Sequence, residues 1–184
     1  MRNYNKNLKL LTKNHVYSKE MEHDACGVGA IVSTEGKKSR IIVEYGIDAL
    51  KAVWHRGAVD ADGKTGDGAG IHLEIPKDFF IEKIEVTGHD YDNSEICVGM
   101  IFLPRNDYSA QESCKTIVES ELTKNNFSIY GWRQVPVNPK ILGQKAFQTM
   151  PEIMQVLFKS NDKNLLNKDL ERKIYETRKK IENK

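Results

Sequence analysis

The run Glu22-His23-Asp24-Ala25-Cys26-Gly27-Val28-Gly29 sets a thiol at the head of a short, glycine-bearing apolar segment. A cysteine placed there suits a nucleophile at the start of a mature chain. If the bond between Ala25 and Cys26 is cut, the thiol and a free α-amine share one residue. An α-amine of pKa about 7.7–8.0 can act as general base toward a thiol of about 8.5, so nucleophile and base arrive together. The competing design is a Cys–His pair drawing on His23, His55 or His72. The plain alternative is a small buried residue on a strand, the usual place for a free cysteine.

Two glycine-rich stretches follow: His55-Arg56-Gly57-Ala58 and Thr65-Gly66-Asp67-Gly68-Ala69-Gly70. Arg56 offers a planar two-point contact to a carboxylate or to backbone carbonyls, and Gly57 leaves its amide open to a ligand. An ordinary surface arginine is the alternative. The second stretch lacks the lysine and Ser/Thr of a phosphate loop and runs into an apparent strand, so the dinucleotide fingerprint fails too. Asp60, Asp62 and Asp67 have the look of a calcium loop. Lys64 and Thr65, however, fall where a ligand and the turn glycine belong. A structural loop remains, with glycines supplying positive φ and aspartates capping turns.

The elements that must position these residues follow from periodicity. Cys26–Ser33 and the alternating Ile71, Leu73 and Ile75 read as strands, the second stopped by Pro76. Ile42, Val43, Ile47, Leu50, Val53 and Trp54 recur at spacings of three and four, predicting a helix over 40–54. A short helix fits 78–83, and strands fit 95–103, 127–135 and 152–158. Ser109 with Glu112 makes a capping box for a helix to about Lys124. Residues 162–184 form a charged helix with Leu166, Leu170, Ile174 and Ile181 on one stripe. Consecutive strand pairs with helices between them predict an α+β fold with antiparallel pairing.

At 184 residues and 21.0 kDa the chain can hold a core of its own. A net charge of +2 gives no field that argues for nucleic acid or an anionic membrane. No run reaches the roughly 18 apolar residues of a spanning helix. The basic first 19 residues lack the apolar centre of a secretory signal, so the cytoplasm is the expected compartment. Three cysteines (Cys26, Cys97 and Cys114), all far apart, favour free thiols over disulfides or a metal site.

Taken together these pieces resemble the class II glutamine amidotransferase domain that opens the large subunit of glutamate synthases. The resemblance runs from Tyr17-Ser18-Lys19-Glu20-Met21 through Cys26-Gly27-Val28-Gly29 and both glycine stretches. It continues in order through Gly131-Trp132-Arg133-Gln134-Val135-Pro136, Leu142-Gly143, Pro151-Glu152-Ile153-Met154-Gln155 and Glu171-Arg172-Lys173-Ile174-Tyr175. It implies a leader over 1–25 and an amidotransferase segment over 26–184, with the αββα sandwich of N-terminal nucleophile hydrolases. Cys26 would attack the side-chain amide of L-glutamine, and ammonia would leave from a thioester intermediate. Arg56 and Gly57 would flank the nucleophile.

The resemblance also implies what is missing. Members of this family place an Asn-Gly oxyanion pair and an arginine for the substrate carboxylate beyond the matched region, and no Asn-Gly dipeptide occurs in these 184 residues. The expectation is an N-terminal fragment, its sandwich incomplete and inactive alone, with the rest of a large subunit or a complementing chain as partner. FMN and an iron–sulfur cluster are expected only in that remainder, with no cofactor and no metal here. The alternative is a non-catalytic, complex-forming remnant, whose partner would cover the Leu166, Leu170, Ile174 and Ile181 stripe, unless that helix packs on its own domain or, as expected here, frays for want of its natural partner.

Overall fold

A computed structural model describes Lys6, Lys13 and residues 27–53, 59–66, 68–165 and 167–184. The chain divides into two compact units, Met1–Val59 with Gly66–Ile71, and Asp60–Thr65 with His72–Lys184.

In the first unit the described structure is mainly one helix, α1 (Arg40–Ala52). The Ser39 hydroxyl accepts from the Ile41 amide and opens it, and Arg40 pairs with Glu44 one turn on. Ile42, Val43, Ile47 and Leu50 are half-buried, on the spacing read from the sequence.

The second unit is a three-stranded antiparallel sheet with helices on both faces. Helix α2 (Lys77–Val86) precedes β1 (Cys97–Leu103), which ends at Pro104. Helix α3 (Tyr108–Lys124) leads through Asn126, at φ 63°, into β2 (Phe127–Gln134). A 3-10 turn (Pro139–Ile141) and α4 (Gln144–Thr149) connect to β3 (Glu152–Ser160), and α5 (Asn167–Glu182) closes the order. Strand β3 lies between β1 and β2.

The period-2 alternation of the strands divides the core in two. Cys97 pairs with Phe158, and both face Val118, Leu122, Phe127 and Leu170 beneath α3 and α5. One residue on, Val98 pairs with Leu157, and both face Phe80, Ile84, Ile96 and Tyr130 beneath α2. A register shift between Ile129 and Gly131 lets β2 bend. Gly131 sits at φ 147°, and a Cβ there would stand 2.8 Å from Thr87 Cγ2. Only glycine takes that backbone so close to α2.

Four expectations are corrected. Residues 27–33 form no strand: Val28 keeps 94% of its surface exposed and, among the described residues, no strand pairs with the segment, and a strand needs a ladder partner. Residues 71–75 form none either, and Ile71 and Leu73 are exposed. Helix α3 is capped by Asp107, whose carboxylate accepts from the Ala110 amide at 2.9 Å, not by Ser109; Glu112 instead pairs with Lys115. Helix α5 is continuous over Asn167–Glu182, and the described part of its stripe is covered. Leu170 and Thr177 are buried in it, and Ile174 and Ile181 pack on the first cluster, while Leu166 lies outside the described residues. Among the described residues, no helix is long and apolar enough to cross a membrane.

Candidate active site

Cys26, Arg56 and Gly57 lie outside the described residues, as do His23, His55 and Asp67. Their flanks are described. A Cβ built on Gly27 would stand 3.7 Å from Val53, the residue that caps α1. The position after the cysteine thus meets the position three before Arg56 in ordinary van der Waals contact. At Gly29 a Cβ would meet nothing within 4 Å, so among the described residues no backbone crowds it. His72 is exposed and on no strand.

The loop after Arg56-Gly57 is a tight turn. Val59 bridges Gly66, and the Asp60 amide donates to the Thr65 carbonyl at 2.7 Å. Gly63 and Gly68 take positive φ (67° and 87°), as expected for glycines in turns. The Asp62 carboxylate gathers donors: the Lys64 amide at 2.9 Å, the Thr65 amide at 2.7 Å and the Thr65 hydroxyl at 2.6 Å. These bonds, the Thr65 hydroxyl foremost, hold its pKa down to about 2. Asp60 pairs with Lys145 at 2.6 Å.

Leu142-Gly143 is the other side of this contact. Gly143 is buried, and a Cβ on it would fall 2.2 Å from Thr65 Oγ1, 2.3 Å from Asp62 Oδ2 and 2.6 Å from the Thr65 amide nitrogen. No side chain could replace that hydrogen without moving the loop. Periodicity gives no sign of this contact, because the partners lie some 80 positions apart along the chain.

The remaining thiols differ from a nucleophile. Cys97 is buried, and desolvation, helped by Glu95 and Glu171, pushes it up to about 12, so it stays protonated near neutrality. Cys97 and Cys114 are both free. Cluster ligation needs thiolates, and among the described residues no three His, Cys, Asp or Glu side chains gather as a metal site would require. An iron–sulfur cluster does not fit these residues.

Residues 26–184 match the class II glutamine amidotransferases. Over 176 residues the chain is 51% identical to the glutamate synthase [NADPH] large chain of Azospirillum brasilense, covering 96% of this chain and 12% of that protein. It is 38% identical over 175 residues to the ferredoxin-dependent glutamate synthase of Pyropia yezoensis, covering 95% of this chain and 11% of that one. It is 40% identical over 162 residues to ferredoxin-dependent glutamate synthase 1 of Arabidopsis thaliana, covering 88% of this chain and 10% of that one. The chain thus spans about an eighth of the length of the curated relatives it matches. With the family match running from Cys26 to Lys184, the chain belongs to the class II glutamine amidotransferases.

Proposed function

We propose that the chain is the glutaminase portion of a glutamate synthase, with Cys26 as nucleophile. The observation that carries this is the family match, which begins at Cys26 itself. A leader over 1–25 rests on the family match starting only at residue 26, although the 96% coverage against the Azospirillum protein also runs into the residues ahead of it. The close approach of Gly27 to Val53 supports Arg56 and Gly57 as flanks of the thiol.

Once the leader is removed, the α-amine of Cys26 takes the thiol proton as sulfur attacks the side-chain amide carbon of glutamine. The tetrahedral intermediate collapses, the nitrogen takes that proton and leaves as ammonia, and a γ-glutamyl thioester stays on Cys26. Water, deprotonated by the same amine, then releases glutamate and restores the thiol. Oxyanion stabilisation, worth about 10²–10³ in rate per donor, is assigned to residues other than these 184, as are flavin and iron–sulfur chemistry. The fold of the whole domain is assigned to the αββα sandwich, of which the three-stranded sheet and its helices would be part. The cytoplasm suits the free thiols. A remnant that binds a partner through the last helix has no support, because the α5 stripe is taken up by its own core.

The test is a chimera in which residues 1–184 replace the matching part of the Azospirillum large chain. The expected result is glutamine-dependent ammonia release, an N-terminus at Cys26 by intact mass, and loss of release in Cys26→Ala. A folded chimera that releases ammonia equally well without the thiol would overturn the reading.

A further inference from the structure

A continuous set of contacts runs from the sheet core to the turn that follows Arg56-Gly57. Gln111 is buried at the start of α3, and its side-chain amide donates to the Pro104 carbonyl at 2.7 Å and the Arg105 carbonyl at 3.3 Å. That fixes the turn after β1. The Arg105 guanidinium lies 4.5 Å from the centre of the Phe147 ring, which ties α4 to the same turn. Gly143 is the N-cap of helix α4 and gives it no side-chain cap. The loop stands against it there: Asp62 Oδ2 and Thr65 occupy the space a Gly143 side chain would take.

We propose that Asp62, Thr65 and Gly143 form a clamp that holds the loop following Arg56-Gly57 in the geometry glutamine binding requires. This deepens the reading above and rests on it. Asp62 is then a positioning residue, acting through the backbone it holds. A carboxylate serves better than a hydroxyl or amide because it accepts at both oxygens, from Lys64 and Thr65 amides on one and the Thr65 hydroxyl on the other. With its pKa near 2, Asp62 keeps that capacity at every pH where an amidotransferase would work. The Asp60–Lys145 pair adds a second, weaker tie, since Lys145 is mostly in solvent.

The test uses the chimera and follows Asp62→Ala, Gly143→Ala, the double variant and Asp62→Asn. Asn keeps one acceptor for the Lys64 and Thr65 amides but turns the other oxygen into a donor. The expected result is a KM for glutamine raised about 10-fold or more in each Ala variant, with kcat changed much less. The double variant should be no worse than the worse single, because both changes break one contact. Asp62→Asn should fall between wild type and Asp62→Ala. In the 184-residue chain, amide exchange over 59–66 should speed up in both Ala variants. A KM unchanged in both, or fully additive effects, would overturn the clamp. Glutaminase that survives Cys26→Ala defeats the functional reading instead, and exchange over 59–66 then decides the clamp by itself: equal rates in wild type and both Ala variants would overturn it.

Discussion

Leu157 has no exposed surface, whereas Val28 keeps 94% of its own. The first lies at the centre of the second unit, between strands that pair along their length and beneath a helix. The second lies two residues beyond the proposed nucleophile, in a segment that pairs with no strand among the described residues. Among the described residues, the unit with the sheet holds both apolar clusters, while α1 of the other buries no residue fully. On the proposed function, the contrast teaches that folding free energy and chemistry would be carried by different parts of this chain. A substitution should therefore affect stability or glutamine turnover, seldom both.

The strongest attempt to break that division is Leu157→Ala. Removing a fully buried leucine should lower stability by about 2–5 kcal/mol, read as a drop in the urea midpoint with unchanged slope. A change under about 1 kcal/mol would show that the sheet centre is not the core.

Gly131→Ala comes next. It forces a side chain onto a backbone at φ 147° and against Thr87, at a cost of about 1–3 kcal/mol. Thermal unfolding measures it.

Tyr130→Phe is smaller. It deletes the hydroxyl that donates to Asp92 at 2.9 Å, for about 1 kcal/mol. Asp92 also pairs with Lys159, which leads the causes holding its carboxyl well below the usual range. Its folded pKa is depressed, so its contribution is present above the unfolded value of 3.8 and is lost as pH falls below that. An acid titration of unfolding in wild type and Lys159→Met should differ most above pH 4 and converge in strong acid.

Cys97 tests the other limb. Its folded pKa is raised, so burial of the neutral thiol stabilises fully below the unfolded value of 9.0 and weakens as pH climbs toward 12. Native alkylation at neutral pH should reach Cys114 well before Cys97; equal rates would contradict the buried placement.

Val28→Ser should shift stability by no more than about 0.5 kcal/mol. A larger loss would mean that the segment after Cys26 is packed after all.

What the sequence made legible follows the same division. Local signals sufficed for α1, where apolar spacing and Ser39 agree, and for β1, β2 and β3, whose apolar runs end in Pro104, Gln134 and Ser160. They failed for 27–33 and 71–75, because strand-like composition does not supply a pairing partner. Asp107 and Ser109 are both good caps, and only the chain path out of Pro104 selects the earlier one. Helix α4 escaped notice because Gly143 gives it no side-chain cap and the group pressed against it, Asp62, is far away in sequence. The proposed nucleophile and its glycine stretches stood out in the sequence by residue type and spacing alone. The clamp that holds one of those stretches was not, since nothing in a lone Leu-Gly pair says what will press against it.

The most direct measurement of the central claim is an acid quench of the chimera during turnover with excess glutamine, followed by proteolysis and mass spectrometry. The account predicts a γ-glutamyl group on the peptide that begins at Cys26, absent from the Cys26→Ala protein. Sustained release of glutamate with Cys26 unmodified throughout, and undiminished in Cys26→Ala, would contradict it.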